Sequence, residues 1–283
     1  MKIDNRYEVS GKLGQGAFSK VYSGTDVLTG EEVAIKIDLS NLQSGKRRKP
    51  LSDYEAAVLR EIHANGRIRG VPRLFWNGKI NTKSGEFPAI IIDRLGKDLE
   101  NVLEYRKKLS PTEAAKIGIS LLDILRKIHK SGFVHRDLKP ANIMLGFEDN
   151  NIYIADFGLS KRYVTSSNKH IPFCDNKSGV TGTMRYCSTY THFGVESSRR
   201  DDMQSLLFIV VYLINAELPW QSKNIKKGNV GSVKSKCVFE GSLTKAMNPH
   251  LHKMNMNIKN LQFSEEPDYK FLRTCLENMI LGK

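Results

Sequence analysis

The sequence predicts an α+β fold of two lobes, in which a small, mainly antiparallel sheet with one helix precedes a larger, mainly helical part. Strand-like stretches punctuated by glycines fill residues 7 to 39, and helical periodicity dominates after Gly96. The 283 residues, 40% hydrophobic and 26% charged, suffice to bury a globular core. We therefore expect one domain over residues 1–283, with a first lobe at about 1–93, a hinge at about 93–97, a second lobe at about 98–283 and no regulatory tail.

The first lobe begins with three short β-rich stretches and a turn. The strands are predicted at Tyr7–Val9, Lys20–Tyr22 and Glu32–Ile37, with Leu28–Gly30 as a turn. Ser52 and Glu55 have the spacing of a capping box, so a helix should begin there and continue until Asn65-Gly66. Phe87–Ile92 is a further candidate for a buried strand.

The second lobe is predicted to be mainly helical. Ser110 is a predicted cap with Pro111 in the first turn, and apolar residues follow at helical spacing from Ile117 to Ile128. The longest apolar run, Leu206–Ile214, has nine residues, whereas a membrane-spanning helix needs roughly 20. No transmembrane helix is expected.

Charge and cysteine usage restrict the setting of the protein. The 44 Lys and Arg exceed the 30 Asp and Glu, and the net charge of +14 favours negatively charged partners: nucleic acid, acidic membranes or acidic peptides. Four dispersed cysteines without a C-x-x-C pair indicate neither a zinc site nor a disulfide framework. Neither end carries a secretory signal or a lipid-anchor motif, so we expect no membrane anchor and a location in the cytoplasm, the nucleus or both. We also expect a monomer.

Two features of the first lobe suit a nucleotide. Residues 14–21 form a glycine-rich turn whose amides can approach phosphate oxygens, and Val21 could cover an adenine ring, although a plain β-turn explains the pattern equally well. Lys36 stands alone in an apolar strand, and a buried ammonium needs a carboxylate or phosphate partner. Glu55 on the following helix can supply the carboxylate. Glu61 is the alternative, but it points to a different face of that helix.

The most informative motif is His135–Asn142, followed after thirteen residues by Asp156-Phe157-Gly158. In this order, the residues make a phosphoryl-transfer apparatus. Asp137 can accept the proton of a substrate hydroxyl, Lys139 can reach the transferred phosphate, and Asn142 and Asp156 can hold Mg²⁺. A solvated loop would explain each element alone, but the ordered set makes that interpretation improbable.

These motifs resemble the eukaryotic protein kinases, and later stretches narrow the resemblance to the casein kinase 1 family. That family carries a G-T-x-R-Y stretch, as in Gly182–Tyr186, and S-R-R-D-D-x-x-S-L in place of the usual Ala-Pro-Glu, as in Ser198–Leu206. Leu218–Gln221 and Pro267–Tyr269 are also similar to its C-lobe. The resemblance covers nearly the whole chain.

The resemblance implies ATP and Mg²⁺ as cofactors and gives roles to individual residues. Lys36 would contact the α- and β-phosphates and pair with Glu55, while Asp202 would anchor the catalytic loop, although Asp201-Asp202 could also be a helix N-terminal charge pair. Leu13, Val21 and Ala34 would form the roof of the adenine pocket, Met144 its floor, Ile92 the gatekeeper, and Leu95 the hinge residue. The full nucleotide set is Leu13, Gly14, Gln15, Gly16, Ala17, Phe18, Ser19, Val21, Ala34, Lys36, Glu55, Ile92, Leu95 and Met144.

The resemblance also implies a substrate anion site. Family members bind an anion with the arginine of the G-T-x-R stretch and nearby lysines, and therefore prefer substrates already phosphorylated upstream. Arg185 is present, whereas Asn224 and Gly231 fall where the family has basic residues. The candidate partners of Arg185 are Lys223, Lys226 and Lys227, with Lys234 and Lys236 as further candidates. A solvated surface loop explains these lysines equally well.

The function predicted from the sequence is transfer of the γ-phosphoryl group of ATP to Ser or Thr of acidic or pre-phosphorylated proteins. In the family, this activity serves DNA-damage response, ribosome maturation and vesicle traffic. A pseudokinase scaffold is disfavoured because the catalytic Asp, the Lys and both metal ligands are retained. A basic nucleic-acid-binding protein is the other alternative. The run Lys46–Lys49 could contribute to such binding without excluding kinase activity.

Overall fold

The computed structural model describes residues 2–16, 18–40, 50–82, 84–175 and 179–282, except for the side chain of Lys227. The chain forms two compact units, Met1–Gly96 with Leu145–Gly158, and Lys97–Met144 with Leu159–Lys283. The return of Leu145–Gly158 to the first unit differs from the division expected from the sequence. Within the first unit, the Ile154 amide of this segment donates to the Gly70 carbonyl at 2.8 Å.

The first unit contains a six-stranded antiparallel sheet with strand order β1-β2-β3-β4-β6-β5. The strands are β1 (Lys2–Ile3), β2 (Tyr7–Gln15), β3 (Ser19–Asp26), β4 (Glu32–Asp38), β5 (Leu74–Thr82) and β6 (Gly85–Asp93). All four predicted strands lie within β2, β3, β4 and β6, whereas β5 was not predicted. A second sheet has the order β10-β9-β7, from β7 (Leu95–Asp98), β9 (Ile143–Gly146) and β10 (Ile152–Ile154).

Alternation along β4 separates the two faces of the large sheet. Val33, Ile35 and Ile37 are buried in an apolar cluster with Tyr7 and Ile91, among others. Because successive side chains of a strand point to opposite faces, Ala34 and Lys36 lie on the other face. The core packing of one face thus leaves the predicted nucleotide residues together on the opposite one.

The helix of the first unit, α1 (Leu51–Ile62), begins near the predicted position but not by the predicted means. The capping box is wrong: the residue before the helix is Pro50, and no side-chain cap bond is found at this end in the described chain. Instead, the Ser52 amide donates to Asp38 Oδ2 at 2.9 Å, and Glu55 binds Lys36. Partners from β4 have replaced the local cap.

The second unit is mainly helical, as predicted. Its helices are α2 (Leu99–Arg106), α3 (Pro111–Lys130), α4 (Thr189–His192), α5 (Arg199–Asn215), α6 (Val230–Phe239), α7 (Ser242–Lys245), α8 (Pro249–Asn260) and α9 (Tyr269–Leu281), and its strands β8 (Phe133–Val134) and β11 (Lys161–Arg162) pair antiparallel. The predicted cap of α3 is confirmed, because Ser110 and Glu113 form a reciprocal capping box.

Helix α5 is the centre of the second unit. It contacts α3, α4 and α8, and it is buried nearly all round, as expected for a core helix without a polar face. The nine-residue apolar run forms the C-terminal half of this helix. No helix in the described residues combines the length and apolar character needed to cross a membrane.

Candidate active site

Lys36, Glu55 and Asp156 form a charged triad within the first unit. Lys36 Nζ donates to Glu55 Oε2 at 2.7 Å and to Asp156 Oδ1 at 2.8 Å. The Phe157 amide donates to the other Glu55 oxygen at 3.1 Å, so both oxygens of this carboxylate are engaged. The Glu55 side chain is 3% exposed, whereas that of Asp156 is 45% exposed. Glu55, and not the exposed Glu61, is therefore the partner of Lys36.

The triad keeps Lys36 protonated. Burial alone would lower the pKa of this amine, but the carboxylates of Glu55 and Asp156 outweigh burial and raise the pKa above its usual value. Lys36 is thus a fixed cation with a half-exposed carboxylate beside it. Such a pair can bind phosphate oxygens and the cations that accompany them.

The sheet register groups four predicted nucleotide residues on one face. Val21 pairs with Lys36, and Ala34 pairs with Ile92. Directly paired residues of antiparallel strands place their side chains on the same face, and so do residues two apart on β4. The result is an apolar patch from Val21, Ala34 and Ile92 next to the Lys36 ammonium, which suits a flat ring with phosphates attached.

The glycine-rich stretch forms the hairpin between β2 and β3. Gly14 pairs with Val21, and the Gly16 amide donates to the Ser19 carbonyl at 2.9 Å. A Cβ at Gly14 would meet no atom of the described residues within 4 Å, so packing of the chain does not require this glycine. The missing side chain instead keeps the backbone open to a ligand.

The remaining predicted nucleotide residues fall into three groups. Leu13 and Phe18 are exposed near the hairpin, and Gln15 lies in β2 opposite Lys20. Leu95 begins β7, and Met144 lies in β9, each half-buried. Ala17 lies outside the described residues.

Asp137 is the hub of a hydrogen-bonded cluster within the second unit. Its Oδ2 accepts from Lys139 Nζ at 2.7 Å and from Asn142 Nδ2 at 3.2 Å. Its Oδ1 accepts from the Thr183 amide at 2.9 Å and from the Thr183 hydroxyl at 2.8 Å. The carboxylate is therefore held in one orientation by its neighbours, as a group that orients a substrate hydroxyl must be.

The donor set of the predicted metal ligands fits Mg²⁺. This ion prefers oxygen ligands and takes only one or two carboxylates from a protein, with water and phosphate completing its shell. The Asn142 amide nitrogen donates to the Asp137 carbonyl at 2.9 Å, and among the described residues Asn142 Oδ1 accepts no hydrogen bond. Asp156 supplies a half-exposed carboxylate. The described residues contain no cluster of three His, Cys, Asp or Glu that could hold a metal alone.

Asp202 anchors the loop that carries Asp137. Its two carboxylate oxygens accept from the His135 amide at 2.7 Å and from the Arg136 amide at 3.0 Å. Arg136 has a positive φ of 73° and Asp156 one of 64°, which is uncommon outside glycine. Two of the predicted functional segments thus contain a backbone conformation that their surroundings must maintain.

Sequence reasoning missed three residues that support these segments. Thr183 binds Asp137, and Lys139 Nζ also donates to its hydroxyl at 3.2 Å. His129 Nε2 lies 2.9 Å from Asp202 Oδ2, and His129 Nδ1 lies 2.7 Å from the Tyr269 hydroxyl. Thr183 and Tyr269 stand in stretches that carried the family resemblance, which was the signal available. His129 falls within a helical stripe and gave none.

The predicted anion site is only partly assembled. Arg185 lies over the rings of Tyr186 and Tyr212, with its guanidinium carbon 5.7 Å and 6.0 Å from their centres. Lys223 and Lys226 are exposed in the segment after Gln221, and the side chain of Lys227 lies outside the described residues.

One expectation for this region needs correction. Lys234, a candidate for binding an anion, is fully buried, because Met184 and Cys187 accept hydrogen bonds from it. Gly231 is also buried, and a Cβ there would lie 2.5 Å from the His192 ring. The position aligned with a basic residue of the family therefore has no room for a side chain.

The positive charge is concentrated in the second unit. This unit holds 28 of the 44 Lys and Arg but only 16 of the 30 Asp and Glu, which is +12 of the total of +14. The net positive charge therefore lies mainly on the unit that contains Asp137 and Arg185.

Comparison with known families agrees with this geometry. The family model described as the protein kinase domain matches residues 7–279. The match includes the hairpin, the Lys36 triad and the Asp137 cluster, and it leaves only a few residues at each end unmatched. By this criterion, the chain belongs to the protein kinase domain family.

Proposed function

We propose that this kinase domain transfers the γ-phosphoryl group of ATP to serine and threonine hydroxyls of acidic or phosphorylated proteins, in the manner of casein kinase 1. The catalytic part of this proposal is supported by the Asp137 cluster, in which Lys139 and Thr183 hold the Asp137 carboxylate in place. The observation that carries the substrate class is the charge of +12 on the unit containing this cluster.

In this mechanism, Asp137 accepts a hydrogen bond from the substrate hydroxyl, orients it and receives its proton as the new P–O bond forms. The bond between the γ-phosphorus and the bridging oxygen to the β-phosphate breaks in the same step, and ADP leaves. Lys139, already 2.7 Å from Asp137, stabilises charge on the transferred group. Lys36, held by Glu55, binds the nucleotide phosphates. Asn142 and Asp156 would hold Mg²⁺, whose contribution when bound is to neutralise charge on the phosphate oxygens.

The casein kinase 1 part of the proposal depends on the resemblance and on Arg185. Gly182–Tyr186 and Ser198–Leu206 follow the family pattern. Arg185 lies beside Lys139 and Thr183 in the lining of one cavity, so a cation is available close to the proposed phosphoacceptor. An anionic substrate residue near the accepting hydroxyl would pair with it.

The test is phosphate transfer from γ-labelled ATP to three matched peptides: an acidic serine peptide, the same peptide with an upstream phosphoserine, and its tyrosine counterpart. We expect transfer to both serine peptides and at most trace transfer to tyrosine. Asp137→Asn should abolish transfer while ATP binding persists. Equal transfer to tyrosine, or full activity of the Asp137→Asn variant, would refute the proposal. DNA retention without ATP turnover would favour a nucleic-acid-binding protein.

Arg185→Ala tests the anion site separately. Because this change removes the arginine cation from the cavity lining and keeps Lys139, we expect a selective loss of activity on the phosphorylated peptide. Lys116→Ala is the matched comparison, because Lys116 is exposed on α3 and is not a candidate for the anion site. Equal losses on the phosphorylated and unphosphorylated peptides would contradict a role for Arg185 in anion recognition.

A further inference from the structure

Lys234 is a buried cation in the second unit. Lys234 is 0% exposed, and its Nζ donates to the Met184 carbonyl at 2.8 Å and to the Cys187 carbonyl at 2.7 Å. The ring centres of Phe208 and Trp220 lie 5.6 Å and 5.3 Å from Nζ. Within the part of the chain that the structure describes, no carboxylate lies at ion-pair distance from Nζ. The ammonium is balanced by the two carbonyl dipoles, the aromatic faces and the Cys187 thiol, whose Sγ lies 3.6 Å from Nζ.

Such a group is costly to bury, so its contacts are informative. Burial lowers the pKa of Lys234, because an ammonium loses its hydration and no carboxylate compensates. The two carbonyl oxygens are therefore the main compensation for the charge. Conversely, a variant without the ammonium would remove the donor from the buried Cys187 carbonyl and would leave the Met184 carbonyl with only the Cys187 thiol, 3.6 Å away.

The carbonyls that Lys234 binds belong to residues 183–187, hereafter the 183–187 segment. At its start, the Thr183 side chain binds Asp137. In its middle, the Arg185 carbonyl accepts from Trp220 Nε1 at 2.8 Å. The amides of Tyr186 and Cys187 both donate to the Thr183 carbonyl at 2.9 Å, which closes the segment into a turn. Lys234 and Trp220 thus bind three of its carbonyl groups.

The same segment faces a cavity. Thr183, Met184, Arg185 and Tyr186 line a space of about 490 Å³ together with Lys139. This cavity is large enough for one or two side chains of a peptide, and it adjoins the Asp137 cluster through Lys139. A shift of the turn would therefore move Arg185 and Thr183 together.

We propose that Lys234 is a positioning residue for the protein substrate, which holds the 183–187 segment in the geometry that binds the peptide. This inference rests on the proposed kinase function. Lys234 touches neither the phosphoacceptor nor the nucleotide, so it acts through the turn. Its loss should weaken peptide binding while ATP binding in the first unit is unchanged.

The experiment compares Lys234→Met with Lys116→Met in the full chain. Methionine keeps the length of the side chain and removes the charge, and Lys116 is exposed on α3 of the same unit. We expect Lys234→Met to raise the peptide KM about tenfold and to leave the ATP KM within about twofold. Lys116→Met should leave both unchanged. An unchanged peptide KM in Lys234→Met, or a parallel rise in both KM values, would overturn the proposal.

A second readout does not need activity. Hydrogen exchange at the Tyr186 and Cys187 amides reports the turn directly, and Lys234→Met should accelerate it while amides of α5 keep their protection. If the parent protein shows no phosphate transfer, the proposed function fails, but this readout still decides whether Lys234 holds the turn. If Lys234→Met does not fold, Lys234→Gln takes its place, because glutamine removes the charge and is shorter but keeps an N–H donor. Unchanged exchange and peptide KM in that variant would likewise overturn the proposal.

Discussion

Replacing Glu55 by glutamine tests the charged triad with almost no change in volume. Both Glu55 oxygens act as acceptors, one for Lys36 Nζ at 2.7 Å and one for the Phe157 amide at 3.1 Å. Glutamine offers one acceptor and one donor. Whichever way its amide is turned, an NH₂ group faces another donor in a site where the side chain is 3% exposed.

The size of the effect follows from that mismatch. Losing a buried hydrogen bond to a charged group costs about 1.5–3 kcal/mol. We expect the free energy of unfolding to fall by about 2 kcal/mol in Glu55→Gln. If the same interaction positions Lys36 for the nucleotide, kcat/KM for ATP falls by a factor of roughly 30, which is about 2 kcal/mol at 1.36 kcal/mol per tenfold.

Urea unfolding and steady-state kinetics with varied ATP measure these two quantities. Glu61→Gln is the matched control, because Glu61 is an exposed glutamate on the same helix. It should leave the unfolding free energy within about 0.5 kcal/mol of the parent value. If Glu55→Gln behaves like Glu61→Gln in both assays, the triad neither stabilises the first unit nor positions Lys36.

Three further changes probe the second unit. Gly182→Ala places a Cβ 2.4 Å from the Arg136 carbonyl oxygen, so phosphate transfer should be lost. Gly179 has a similar positive φ but open space around it, so Gly179→Ala should stay active in the same assay. Tyr269→Phe removes the hydroxyl bound to His129, and urea unfolding should show a loss of about 1 kcal/mol; no change would contradict the bond. Burial raises the pKa of Asp201 to about 6 from roughly 3.9 unfolded, so stability falls as pH rises from 4 to 7. Relative to the parent, Asp201→Asn should therefore gain up to about 3 kcal/mol over that range, and a pH-independent difference would refute this.

Local patterns predicted the parts of the fold that local interactions determine. The strand over Glu32–Ile37 and the cap at Ser110 were both predicted correctly, because strand formation and helix capping depend on near neighbours in sequence. Lys36 was identified as needing a carboxylate, since a lone cation in an apolar strand has few alternatives. The predicted partner, Glu55, could be named because it lies on the next helix.

The incorrect predictions concern residues whose contacts are made with partners far away in the sequence. Ser52 and Glu55 form a correct capping pattern, yet Asp38 and Lys36 bind them instead. Lys234 was grouped with surface lysines because a run of charges usually marks a solvated face. Its spacing from the buried Gly231 and Val238 was the available sign that it lies on the inner face of α6. The local sequence does not indicate which carbonyl groups accept hydrogen bonds from its ammonium group.

The pair Asp201-Asp202 shows how position divides two identical side chains between two roles. The sequence allowed either a helix N-terminal charge pair or a catalytic-loop anchor, and both interpretations hold, one for each residue. Asp201 completes the capping box with Ser198, and burial raises its pKa. Burial also raises the pKa of Asp202, but His129 and the loop amides outweigh it and lower the pKa below the usual value. Asp202, whose carboxylate must stay ionised to hold the loop, therefore has the stronger hydrogen-bond donors. In Asp201, which caps the helix, burial outweighs the hydrogen bonds and raises the pKa.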